Sequence, residues 1–239
     1  MRENMSTVLI GVMSCIHDAQ NGNHDAIRRT WVRHMVPGLE YRIFVGQGAI
    51  NLAPDEVQLD VPDDYPHLPE KAQAMRMWAL EHGYDYMFKA DRDTFLSPRR
   101  LLASGFEQHD YAGYFPYIPE GSKVSHLLTP SGYVPTYPDC RGAHIYASGA
   151  PGYWLSKRAM ELMVAAPLDE KREDNRGNPA EDLWIPNVLF PAGVRGYHDT
   201  RYLFMGNRLV GDAITVHLGI NGYHSDYLYN CYNLSVSAL

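Results

Sequence analysis

The stretch at residues 86–96, YMFKADRDTFL, carries the densest chemical signal in the chain. A short apolar run delivers Asp91 and Asp93, one residue apart, and apolar sequence then resumes. Two carboxylates so spaced at a strand end can both reach one hard divalent cation, which prefers oxygen ligands. Such an ion can bridge a pyrophosphate and stabilise its charge as it leaves, the chemistry of nucleotide-sugar transfer. Solvated aspartates of a turn have the same spacing, so the surrounding residues must decide. His217, within Ile214-Thr215-Val216-His217-Leu218, is a second candidate, with His198 and His224 as rivals. Neutral imidazole suits Mn²⁺, and it also suits a core histidine making its own hydrogen bond. A third candidate is Glu181-Asp182, at the start of a helix-like segment. Acids are expected there as caps and dipole partners, and a carboxylate can also serve as a proton acceptor.

The elements that must position these groups follow from hydrophobic period. Residues 7–13 (TVLIGVM) form a continuous apolar, β-branched run, the pattern of a strand covered on both faces. A helix is expected from His24 or Asp25 to about Met35. Strands are expected at residues 41–45 and 57–61. Residues 68–82 read as a helix, with Pro69 in the first turn and Ala72, Met75, Trp78 and Ala79 at helical spacing. Gly83 ends it, and residues 84–88 begin the strand leading to Asp91. This is α/β order, which favours a largely parallel sheet with ligands at the carboxyl ends of the strands.

Further along, residues 111–117 and 132–137 suggest short strands around a loop at 120–129. Residues 152–165 start as a strand and turn helical near Ser156. Residues 169–178 (DEKREDNRGN) suggest an exposed loop. Residues 180–189 read as a helix that Pro186 either starts or kinks, and residues 214–218 read as a late strand. The Tyr- and Asn-rich tail has no clear period. The loop after the first strand, from Ser14 to His17, is placed to meet a base and ribose. The glycines at 149 and 152 would let backbone approach a sugar closely.

With 239 residues and 45% hydrophobic content, the chain can bury one substantial core. A single domain is expected, with about 1–96 binding a nucleotide sugar and about 97–239 binding an acceptor and carrying the catalysis. Net charge is −7, and no basic cluster reads as a nucleic-acid arm, so a nucleic-acid partner is not favoured. Cys15, Cys140 and Cys231 are odd in number and scattered, which fits free thiols in a reducing compartment. No run approaches the ~20 apolar residues of a membrane span. A cytoplasmic location is the expectation.

Several blocks stand in a telling order: Ala26-Ile27-Arg28-Arg29-Thr30-Trp31; Phe44-Val45-Gly46; Asp64-Tyr65 with Leu68 and Lys71; Lys89, Asp91, Asp93 and Phe95; Gly149, Gly152-Tyr153 and Ser156; Glu181-Asp182; and His217. Together they resemble the inverting β-1,3-glycosyltransferases of the galactosyltransferase/Fringe type, over roughly residues 7–220. The resemblance implies a GT-A type, Rossmann-like α/β fold: a mostly parallel central sheet flanked by helices, with a smaller acceptor-side region. It implies a UDP-sugar donor, Mn²⁺ or Mg²⁺ as cofactor, and a glycan hydroxyl as acceptor.

Roles follow from the same resemblance. Asp91, Asp93 and His217 would hold the metal, Asp93 directly, with Asp91 also touching sugar or ribose. Asp182 would be the base that takes the acceptor proton, with Glu181 beside it positioning substrate. Ser14, Arg28, Lys71, Asp91, Arg92, Gly149 and Gly152 would face the donor. For Arg28 and Lys71, pairing with a structural acid is the other expectation. Arg92 departs from the family pattern, since a cation aimed inward would repel the metal; it should point away or contact a phosphate. The chain also departs in having His24 and Asp25 before the arginine block and Ala150-Pro151 between its glycines.

Other readings remain. A hydroxymethylated base in viral DNA would be an alternative acceptor, and a non-catalytic sugar-binding module an alternative use of the fold. A dinucleotide oxidoreductase is disfavoured, because no GxGxxG follows residues 8–11.

Overall fold

The computed structural model describes residues 7–48, 51–116, 146–168, 181–218, 225–235 and 239. Its elements in chain order are β1 (Val8–Met13), α1 (Ile16–Gln20), α2 (Asn23–Arg29), β2 (Leu39–Val45), β3 (Glu56–Gln58), α3 (Leu68–Glu81), β4 (Tyr86–Asp91), β5 (Thr94–Leu96), α4 (Pro98–Leu102), β6 (Tyr111–Gly113), β7 (Tyr153–Ser156), α5 (Lys157–Ala165), α6 (Glu181–Leu189), β8 (Gly196–His198), β9 (Tyr202–Leu203), β10 (Thr215–His217) and α7 (Ser225–Ser235).

Seven strands form the central sheet in the order β3-β2-β1-β4-β7-β6-β8. The pairs β3-β2, β2-β1, β1-β4 and β6-β8 are parallel, and only β7 runs against its neighbours. This is the expected Rossmann-like α/β arrangement, with helices on both faces. β1 is apolar at every position because it is central and covered twice. Val8, Ile10 and Val12 join one core with Phe88, Trp154 and Ile27, whereas Leu9 and Met13 join the other with Met75, Met87 and Met160. α3, α5 and α6 cover that second face, and α2 and α7 lie on the first.

A second sheet, β5-β10-β9, sits beside the carboxyl end of β4. β5 and β10 pair antiparallel, with Thr94 opposite His217. The sequence reading contains the late strand β10 but not its partner β5, which is only three residues long.

The single helix expected from about residue 24 to 35 is divided. α2 stops at Arg29, and residues Trp31–His34 form a 3₁₀ turn. Thr30 Oγ1 donates back to the carbonyls of Ala26 (2.6 Å) and Ile27 (3.3 Å), which competes with helical continuation. α1 begins at Ile16, inside the stretch from Ser14 to His17 expected to be loop. The expected strand at 132–137 and the loops at 120–129 and 169–178 lie outside the described residues, as do His224 and Cys140.

Candidate functional site

β1 and β4 run parallel with Met13 beside Asp91, so the β1–α1 loop and the Asp-x-Asp turn emerge at the same edge. Just past that edge, the β5–β10 register brings His217 back to the turn, where Leu218 N–H donates to the Asp93 carbonyl at 3.1 Å. Asp91, Asp93 and His217 each offer a ligand atom, and these lie within 4.8 Å of one another. The span across an octahedral ion at 2.1 Å per bond is roughly 4.2 Å, so the set is close to that of one cation.

His217 is buried, and among the described residues its Nδ1 has no hydrogen-bond partner, although it lies 3.5 Å from Asp93 Oδ1. An orphaned imidazole nitrogen facing two carboxylates is costly without a ligand. A hard to borderline divalent ion fits this donor set. Burial pushes the Asp93 carboxyl up to about 6; the His217 ring opposes that rise and the Asp91 charge adds to it.

On the other side of Asp91 is a buried cluster of charges. Lys89 sits in the apolar run of β4, and its Nζ lies 2.5 Å from Asp91 Oδ1 and 2.8 Å from Glu181 Oε1. Glu181 also accepts from the Tyr153 hydroxyl at 2.6 Å and lies 3.5 Å from Arg76. Burial alone would raise the Glu181 carboxyl, but Lys89 and Arg76 outweigh it and hold Glu181 below its usual range. Lys89, Arg76 and Tyr153 carry no assigned role in the sequence reading. A lysine inside an otherwise apolar strand is the available signal, since a buried charge must be paired.

Asp182 follows Glu181 in the first turn of α6. Pro186 lacks the N–H that would bind the Asp182 carbonyl, so that turn is missing one rung. The Asp182 side chain accepts from the Gly149 amide at 2.8 Å, rather than from an amide of its own helix. Burial first, and then the Glu181 charge, raise its carboxyl to about 7. A carboxylate tuned near neutrality is suited to take a proton.

The glycine loop joins the two halves. Thr94 Oγ1 donates to the Ala150 carbonyl at 2.7 Å, and Thr215 Oγ1 to the Pro151 carbonyl at 2.8 Å. A Cβ at Gly149 would lie 2.8 Å from Glu181 Oε1 and 3.0 Å from Lys89 Nζ. Gly152 has φ +92°, and a Cβ there would meet the Phe88 ring at 2.3 Å. Both glycines let the loop cross the sheet edge at van der Waals distance.

The remaining candidates surround the β1 edge. Arg92 points away from the carboxylates of its own turn and pairs with buried Asp18, its guanidinium also reaching Cys15 Sγ at 3.1 Å. Lys71 donates to the Ser14 carbonyl (3.0 Å) and to Asp63 (2.7 Å), which in turn accepts from the Gly46 and Ile16 amides. Arg28 is held by Asp25, Asp55 and Glu56. Ser14 Oγ lies 2.8 Å from His24 Nε2, whose Nδ1 lies 2.7 Å from Glu56. That order of atoms matches a Ser-His-acid triad, but Ser14 is buried and also bonded to Asp18, so the bonds brace the loop. Of the rival histidines, His198 receives the Phe115 amide at 2.9 Å.

No family model and no curated protein matches the chain. Among solved structures, it is similar to a protein from Desulfovibrio desulfuricans G20 provisionally described as a nucleotide-diphospho-sugar transferase. The identity is 11%, the TM-score 0.46, and the match covers 82% of this chain and 80% of that chain. Among the described residues, no helix is long and apolar enough to cross a membrane.

Proposed function

We propose that the chain is a metal-dependent, inverting glycosyltransferase of the galactosyltransferase/Fringe type. It would move a sugar from a UDP-sugar to an acceptor hydroxyl, with a glycan as the acceptor class. The observation that carries this reading is the orphaned His217 Nδ1 facing Asp93 and Asp91, across the glycine loop from Asp182.

In this reading Asp91, Asp93 and His217 would hold Mn²⁺ or Mg²⁺, with Lys89 paired to Asp91. Bound there, the ion supplies positive charge against a diphosphate leaving group. Asp182 accepts the proton of the acceptor hydroxyl as that oxygen attacks the anomeric carbon, and the bond to the diphosphate breaks on the opposite face. Raising its carboxyl to about 7 makes the ionised form a stronger proton acceptor while leaving a share of it ionised at neutral pH. Gly149 holds Asp182 through its amide. Arg92, by pairing with Asp18 and reaching Cys15, ties the Asp-x-Asp turn to α1 and the loop before it, where the nucleotide would lie.

A screen of UDP-sugars with Mn²⁺, reading UDP release and then product masses on glycan and hydroxymethylated-DNA acceptors, tests this function. Metal-dependent UDP release with a glycosylated glycan supports it. A glycosylated DNA base alone would replace the acceptor class, and no release with any donor would overturn the proposal.

A further inference from the structure

We infer that Glu181 is a positioning residue for Asp182, a fixed buried charge that sets the strength of the base without touching substrate. This rests on the transferase reading above, in which Asp182 takes the acceptor proton.

The geometry assigns Glu181 this place. Its two oxygens are fully engaged, Oε1 by Lys89 at 2.8 Å and Oε2 by Tyr153 at 2.6 Å with Arg76 at 3.5 Å. Lys89 comes from β4, Tyr153 from β7 and Arg76 from α3, so three elements fix the carboxylate. Glu181 is buried, and all three partners have almost no exposed surface. A group so held and so buried is not presented to a sugar hydroxyl.

Its influence on Asp182 is direct. A Cβ placed at Gly149 would lie 2.8 Å from Glu181 Oε1 and 3.5 Å from Asp182 Oδ2, so the two carboxylates converge on one point. Both begin α6, and the missing Pro186 rung lies beneath them. The groups facing Asp182 are Glu181 on α6, Lys89 and Asp91 on β4, the Gly149 amide, and the phenols of Tyr111 and Tyr146. Of these, Glu181 is the strongest charge that raises the carboxyl, second only to burial, whereas the Gly149 amide and Lys89 lower it. Removing the Glu181 charge would also leave Lys89 paired with Asp91 alone, so more of its positive charge acts on Asp182, which pulls in the same direction.

Two readouts test the inference. One is the acid limb of kcat/KM against pH, and the other is the titration of the Asp182 carboxyl by ¹³C NMR in aspartate-labelled protein, assigned against Asp182→Asn. Glu181→Gln moves both to lower pH by about one pH unit or more. Tyr153→Phe frees one hydrogen bond of Glu181 but leaves its charge, so melting temperature falls while the titration stays in place. If Glu181→Gln does not fold, Glu181→Gln with Arg76→Met removes the surplus buried cation and gives the same downward displacement. A titration of Asp182 unchanged by loss of the Glu181 charge overturns the inference. Absence of turnover in the unaltered protein overturns the transferase reading, while the substrate-free NMR titration still decides this one.

Discussion

His217 Nδ1 stands 3.5 Å from Asp93 Oδ1, buried and without a hydrogen-bond partner among the described residues, although the two residues are far apart in the chain. The β5–β10 pairing creates this approach, and no donor or acceptor among the described residues relieves it. A divalent ion relieves it. Asp93→Ala and His217→Ala should each weaken Mn²⁺ binding at least about tenfold, since even loss of an outer-sphere partner costs that much. Circular dichroism should show both variants folded. Calorimetric titration with Mn²⁺ checks this, and affinities equal to the unaltered protein would remove His217 and Asp93 from the metal site.

Asp182→Asn should lower kcat by ~10² to 10⁴-fold with little change in donor affinity. The asparagine oxygen can still accept from the Gly149 amide, so the loop should keep its place. Near-normal kcat with a lowered melting point would instead mean that Asp182 is structural and that the proton acceptor lies elsewhere.

The pH dependence has a definite sign. The Asp182 carboxyl is raised to about 7, so kcat/KM should rise as pH increases through 7 and the base ionises. Stability runs the other way. A group whose folded value is raised contributes stability below its unfolded value, near 3.8, and loses it as pH rises through 7. The melting temperature of the unaltered protein should therefore fall relative to Asp182→Asn between pH 4 and 8. A difference that stays constant over that range would contradict the raised value.

The two glycines should fail differently. Gly152→Ala forces a side chain into a φ of +92° and against Phe88, which should cost about 2–5 kcal/mol of stability. Gly149→Ala adds a methyl between Lys89 and Glu181. It should reduce turnover more than it reduces melting temperature. Comparing the two variants by thermal melts and initial rates tests the contrast.

Much of this fold is legible in the sequence, for identifiable reasons. β1, β2 and β4 carry short apolar runs, and β2 and α3 are flanked by glycine or proline, so their types and approximate ends follow from period and punctuation. The Asp91–Asp93 pair and Glu181–Asp182 are short local patterns. The approach of His217 to Asp93 depends on a three-residue strand pairing across the chain, which no local period encodes. Lys89, Arg76 and Tyr153 are scattered over three elements, and only the packing of α3 and α6 on the sheet makes them one cluster. Thr30 ends α2 by a side-chain bond that the helical pattern around it conceals.

Free thiols give a separate check. Among the described residues Cys15 and Cys231 form no disulfide, and burial raises both thiols above their usual value. Melting temperature should be the same with and without dithiothreitol. A fall of several degrees on reduction would reveal a disulfide that supports the fold.

The most direct test of the central claim is calorimetric binding of UDP with and without Mn²⁺. The account predicts that UDP binds measurably in Mn²⁺, that EDTA abolishes the binding, and that Asp93→Ala does not recover it when Mn²⁺ is restored. UDP binding of equal strength in EDTA, or undiminished in Asp93→Ala, would contradict a donor site built on Asp91, Asp93 and His217.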